Sequence, residues 1–145
     1  FRGPEGGPPE LRICIFLSVF NVHVNRSPCA ARVVEIVYRE GKFLNALKPE
    51  STLLNENNLL VLEPAAPLPG PIRVRQIAGL LAKRIVCATS VGASLAAGQR
   101  VGMIKLGSQT EIRLPEDGRW RVNVQAGDKV KGGLTVLAEV GELAA

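Results

Sequence analysis

The apolar segments of this chain are short, rich in valine, isoleucine and leucine, and separated by stretches that contain glycine or proline. Fifteen glycines and ten prolines in 145 residues leave little room for long helices. The pattern therefore favours a mainly β fold with few or no helices. Leu11–Phe20 reads as a buried strand ending at Asn21, and Ala31–Tyr38 as a second strand with Arg39–Lys42 as a hairpin turn. Residues 45–58 are polar and carry Pro49, so they read as a loop before a strand at Leu59–Leu62. Four prolines in the nine residues 63–71 mark a surface connection. Residues 72–89 suit two strands with a bend at Gly79 better than one helix.

A weak internal repeat shapes the last third. Gly92-Ala-Ser-Leu-Ala-Ala-Gly98 and Gly127-Asp-Lys-Val-Lys-Gly-Gly133 share a glycine spacing, and each precedes an apolar run, Val101–Leu106 and Leu134–Val140. This arrangement is similar to the barrel-sandwich hairpins of lipoyl and biotinyl domains, and it predicts two such β units packed face to face. The chain has the length of one domain, residues 1–145, with Phe1–Glu10 as an extended arm.

The single histidine removes His-rich zinc sites, and no Cys/His spacing suits a structural metal, so no metal is expected. Cys14, Cys29 and Cys87 are far apart without a C-x-x-C pair and read as free, buried thiols of a reducing compartment. No apolar run reaches about 18 residues, so no helix here is expected to span a bilayer. A formal charge of +5 favours an anionic partner. A lipid surface suits it better than nucleic acid, because the six aromatic residues form no stacking series among the basic positions. Arg73, Arg75, Lys83 and Arg84 are candidates for such a basic face.

The stretch Val101–Pro115 places the Gly107-Ser108 bond between two strand-like segments. Glycine lacks a Cβ, so the bond can enter a strained turn that brings the serine hydroxyl onto the preceding carbonyl. Taken alone, the dipeptide is an ordinary turn. A Ser-His-Asp hydrolase is disfavoured, because Ser108 has no Gly-x-Ser-x-Gly setting.

Ser108 has company, however. Leu17–Pro28 around Asn-Val-His-Val-Asn-Arg-Ser-Pro, Gly41–Ala46, Asn55-Glu56, Arg73–Gly79, Arg84–Cys87 and Gly98–Ser108 follow one another in an order that closely resembles the short, prokaryotic phosphatidylserine decarboxylases. The resemblance runs over about residues 11 to 140. It implies that the chain cleaves itself between Gly107 and Ser108 into a β chain, 1–107, and an α chain, 108–145, which stay associated. Ser108 then becomes a covalent pyruvoyl cofactor. It further implies that phosphatidylserine forms a Schiff base on that group, loses CO₂ and leaves as phosphatidylethanolamine at the cytoplasmic side of the cell membrane, where the protein binds peripherally. His23 is the implied proton carrier, the only side chain here whose ordinary pKa lies near neutrality. The substrate-binding residues stay unassigned, as does the oligomeric state.

Three departures accompany the resemblance. Arg26 stands where longer relatives carry a second histidine, and Asn57 where they carry the arginine of Asn-Glu-Arg. A Pro-Ala-Asp-Gly segment, whose aspartate is implied to assist the histidine, has no counterpart: Asp117 and Asp128 both lie in turn-like sequence. Glu56 is the substitute acid to consider. Three alternatives stay open: an uncleaved, inactive barrel-sandwich binding module, a decarboxylase of the archaeal ether-lipid analogue archaetidylserine, and a biotin or lipoyl carrier modified at Lys105.

Overall fold

The computed structural model describes residues 8–17, 24–80, 84–104, 108–131 and 134–141. In chain order the elements are β1 (Glu10–Leu17), β2 (Val24–Arg26), β3 (Ala31–Arg39), α1 (Ser51–Leu54), β4 (Asn57–Pro64), β5 (Ile72–Ile77), β6 (Ile85–Cys87), β7 (Ser94–Leu95), β8 (Arg100–Ile104), β9 (Ser108–Pro115), β10 (Trp120–Val122) and β11 (Ala138–Val140). The fold is mainly β, as the glycine and proline punctuation predicts, with one helix of a single turn among the described residues. Gly79 does separate two strands, β5 and β6. No helix among the described residues is long and apolar enough to cross a membrane.

Six strands form one antiparallel sheet in the order β1-β9-β5-β4-β3-β7. A three-stranded sheet, β2-β8-β6, and a two-stranded sheet, β10-β11, accompany it. Strand alternation splits β9 into two unlike faces. Ile112 and Leu114 point the same way as Val74 and Ile72 of β5 and Leu60 and Leu62 of β4, their cross-strand neighbours. These side chains form a buried cluster with Val33, Leu95 and Val101, against which Trp120 and Ala138 also pack. The smaller sheets thus share one apolar core with the large one. Of the repeat's glycines, Gly92, Gly98 and Gly127 all have φ between +78° and +94°, the left-handed turn geometry that side chains resist. Gly133 lies outside the described residues.

The opposite face of β9 is ionic. Glu111, fully buried, accepts from Arg75 Nε and Nη2, both at 3.1 Å, and from Arg113 Nε at 2.7 Å, with Arg12 Nη1 at 3.6 Å. The register explains the cluster, since Arg75 and Cys14 flank Glu111 directly on the neighbouring strands. Burial pushes Arg75 down from the ordinary guanidinium pKa, and the Glu111 carboxylate opposes the shift. Arg73 pairs with Glu10 at 2.9 Å.

This arrangement corrects three sequence expectations. Arg73 and Arg75 are not a solvated basic face, because carboxylates engage both and Arg75 is buried. Lys83 lies outside the described residues, while Arg84 is exposed. Of the three free thiols only Cys29 is buried: Cys14 alternates away from the apolar core on β1, and Cys87 ends the short strand β6. Finally, Arg39–Lys42 is no tight hairpin turn, since β3 continues through Arg39 and the chain reaches β4 only after α1. Lys42 instead bridges to Asn55, and a Cβ on Gly41 would lie 2.6 Å from the Leu54 carbonyl oxygen.

Replacing Glu111 with alanine removes the carboxylate that engages two guanidiniums, each under a tenth exposed. The expected loss of stability is about 3–5 kcal/mol, the range for breaking a buried charge pair from one side. Urea unfolding of Glu111→Ala measures it, and a loss below about 1 kcal/mol would mean that the arginines escape to water.

Candidate active site

Ser108 opens β9 and faces Leu17, the last residue of β1. It is fully buried, and its Oγ has no hydrogen-bond partner among the described residues. An orphaned buried hydroxyl costs about 1–3 kcal/mol and is rare enough in folded proteins to call for a reason. In the chain this hydroxyl belongs to the residue directly after Gly107.

His23, Gly107 and Lys105 lie outside the described residues. The strands around them are informative all the same. Segment 18–23 leaves β1 at Leu17, which pairs with Ser108, and enters β2 at Val24, which pairs with Met103 of β8. Segment 105–107 leaves β8 after Ile104 and enters β9 at Ser108. Both segments therefore run between the same two ladders: Leu17, before segment 18–23, pairs with Ser108, and Val24, after it, pairs with Met103.

Behind Ser108 the next residue turns to the opposite face. Gln109 Nε2 donates to the Ala46 carbonyl and to Ser51 Oγ, the latter at 3.0 Å, which fastens the 42–55 loop to the start of β9. Asn55 secures the same loop by donating to the Leu44 and Ala78 carbonyls at 2.9 and 2.7 Å while accepting from the Leu44 N–H. Asn57 is buried and donates to the Asn55 carbonyl at 3.0 Å. The Asn55–Asn57 motif is thus a structural clasp in this chain. Arg26 donates to the Gly98 carbonyl at 2.9 Å and supplies no substitute for a second histidine.

The substitute acids are committed elsewhere. Glu56 accepts from the Tyr38 hydroxyl and, at 3.4 Å, from the Gly41 N–H, and β5 lies between β9 and β4, which begins at the residue after Glu56. Asp117 binds Arg119, and Asp128 caps the Gln125 N–H. No three His, Cys, Asp or Glu side chains converge on a metal position among the described residues.

Sequence reasoning missed a buried amide group beside Ser108. Asn25 Nδ2 donates to Thr110 Oγ1 at 2.8 Å, Gln76 Nε2 donates to Asn25 Oδ1 at 2.9 Å, and Asn58 Nδ2 donates to Gln76 Oε1 at 3.0 Å. The available signal was alternation: Gln76 continues the inward series Ile72, Val74, and Asn58 precedes the inward pair Leu60, Leu62. A polar residue at an inward position requires a partner.

The Tyr38–Glu56 contact is testable by titration, since the chain has one tyrosine. The hydrogen bond to Glu56, then partial burial and the charges of Glu56 and Glu40, push its phenol up to about 12 from 10.0. A pKa raised on folding means that the contact stabilises the protein fully below pH 10 and ceases to do so as pH rises towards 12. Absorbance titration should find the phenolate near pH 12, returning to about 10 in Glu56→Ala. An ordinary value in the folded wild type would leave Glu56 free to act as an acid.

With this geometry in place, comparison with known proteins is direct. The family model for phosphatidylserine decarboxylase matches residues 7–138. Similar proteins include three named phosphatidylserine decarboxylase proenzyme. That of Rhodopirellula baltica is 51% identical over 128 residues, 88% of this chain and 53% of the relative. The Ralstonia nicotianae protein is 44% identical over 140 residues, covering 96% and 63%. The Cupriavidus pinatubonensis protein is 43% identical over 143 residues, covering 98% and 64%. The chain thus spans between about half and two-thirds of the length of these relatives. No solved structure matches it significantly. The match across residues 7–138, which contains both Ser108 and the strands that hold it, establishes that this chain belongs to the phosphatidylserine decarboxylase family.

Proposed function

We propose that the chain is the self-processing part of a phosphatidylserine decarboxylase, a pyruvoyl-dependent carboxy-lyase, with Ser108 as the source of the pyruvoyl group. The observation that carries this reading is the buried Ser108 hydroxyl at the head of β9, without a partner among the described residues and directly after Gly107, in a family whose relatives are named proenzymes. Ser108 Oγ attacks the Gly107 carbonyl carbon, and the peptide C–N bond breaks as an ester forms and the freed amine takes the proton. Loss of the Ser108 α-proton and cleavage of its Cβ–O bond release Gly107 as a carboxylate and leave dehydroalanine. Water then hydrolyses its imine tautomer, releasing ammonia.

The resulting carbonyl supplies an electron sink for loss of CO₂ from an amine-bearing substrate. His23 is suited to moving protons, both in processing and at the carbon that loses CO₂. The sheet order supports lasting association of the two products, 1–107 and 108–145. β9, the first strand of the C-terminal product, pairs on both sides with strands of the N-terminal one, β1 and β5. The substrate on this reading is phosphatidylserine, or a lipid of the same headgroup such as archaetidylserine, met by peripheral binding at the cytoplasmic side of the cell membrane.

One observation favours a second reading, the uncleaved and inactive module. Glu56, the acid considered as a replacement for the family's aspartate, is engaged by other groups, as are the chain's two aspartates, Asp117 and Asp128. Intact-protein mass spectrometry under denaturing conditions separates the two. The expected result is a break between Gly107 and Ser108, with a C-terminal fragment lacking one ammonia relative to a serine N-terminus. Ser108→Ala should stay whole and release no CO₂ from phosphatidylserine vesicles, and His23→Ala should slow release by at least about 10²-fold. A wild-type chain that stays unbroken after prolonged incubation would establish the inactive module instead.

A further inference from the structure

The strand that follows His23 is a poor anchor by itself. β2 has three residues, its register with β8 shifts between Asn25 and Arg26, and its sheet is separate from the six-stranded sheet that holds Ser108. Two or three ladder positions fix the pairing of β2 with β8 but not the placement of both against β9. Among the described residues, Asn25 and Gln76 carry side-chain hydrogen bonds from one sheet to the other.

The orientation of these amides follows from one group. The Val86 carbonyl of β6 can only accept, so the Gln76 atom 3.0 Å from it must be the nitrogen. Gln76 Nε2 then has its second hydrogen for Asn25 Oδ1 at 2.9 Å, and Oε1 remains to accept from Asn58. Asn25 must accordingly turn its Nδ2 towards Thr110 Oγ1, at 2.8 Å. Thr110 stands two residues after Ser108, on the same face of β9. Gln76 is fully buried, with Asn58 and Asn25 close to it in burial, so a missing partner at any position leaves an unsatisfied amide. Gly102 of β8, opposite Asn25, makes room for the arrangement: a Cβ there would lie 2.4 Å from Gln76 Nε2 and 2.2 Å from the Val86 oxygen.

We propose that Asn25, oriented by Gln76 and held to Thr110, is a positioning residue that sets β2, the strand that begins at the residue after His23, against the strand opening with Ser108. This rests on the reading of Ser108 and His23 given above. The amide chain spans β4, β5, β2 and β9, so it locks the proton carrier's strand to the nucleophile's strand by directional bonds. Apolar packing between the sheets has no such directionality. Losing the Asn25–Thr110 bond slows self-cleavage more than it loosens the fold.

The test is a time course of self-cleavage during cell-free synthesis of the full chain, read as the fraction cut between Gly107 and Ser108 by intact mass. Thr110→Val keeps the shape of the side chain and removes the acceptor, whereas Thr110→Ser keeps the acceptor. Thr110→Val is expected to cleave at least about tenfold more slowly than wild type, and Thr110→Ser within about threefold of it, as for loss and retention of a positioning contact. Thermal midpoints of uncleaved Ser108→Ala proteins carrying each change should lie within a few degrees of one another. Equal cleavage of wild type and Thr110→Val overturns this inference and leaves the function proposed for Ser108 intact. A wild type that never cleaves overturns that function, and the inference with it. Should Thr110→Val not fold, Asn25→Leu replaces it, and cleavage of that variant at the wild-type rate overturns the inference equally.

Discussion

Gln76, together with Asn25, joins two sheets of this chain by directional bonds. Its carboxamide has two hydrogens and an acceptor oxygen, and strands β6, β2 and β4 each take one of the three. A neutral amide suits this position, because it satisfies three strands without placing a charge in the core. The neighbouring β8 residue, Gly102, has no side chain, and that absence lets the sheets close to within hydrogen-bond reach.

The two faces of β9 are stabilised by different physics. On one, Ile112 and Leu114 join an apolar core whose contribution is broad and non-directional. On the other, Glu111 is surrounded by guanidiniums from β1, β5 and its own strand. A buried carboxylate in such company is costly to disturb but specific, since a register slip of one residue would carry it into the apolar core. The strand that begins at Ser108 therefore has its register defined on both sides, and the position of Ser108 is defined with it.

Local information was enough for the mainly β class, for the bend at Gly79, for the turns at Gly92, Gly98 and Gly127, and for a strand adjoining Ser108. It failed where the answer depended on register or on distant partners. Arg75 reads as a surface cation until β5 is laid against β9, where Glu111 falls opposite it. Gln76 could be placed on an inward face, yet its partner Asn25 lies 51 residues away. The turn composition of Arg39–Lys42 misled because Gly41 serves a close backbone approach to Leu54 instead of a hairpin. The family motifs single out Ser108, but not that its hydroxyl lacks a partner among the described residues, which is a property of three-dimensional neighbours.

The complete burial of Ser108 has a consequence for the kind of chain end this site tolerates. Plain hydrolysis of the bond before it would create an ammonium group at a buried position, where burial disfavours the charged form. Conversion of the same residue to a ketone-ended terminus discards the nitrogen and leaves a neutral end. The fold thus distinguishes between two ways of breaking one peptide bond, and it is compatible with the outcome in which the new terminus carries no charge.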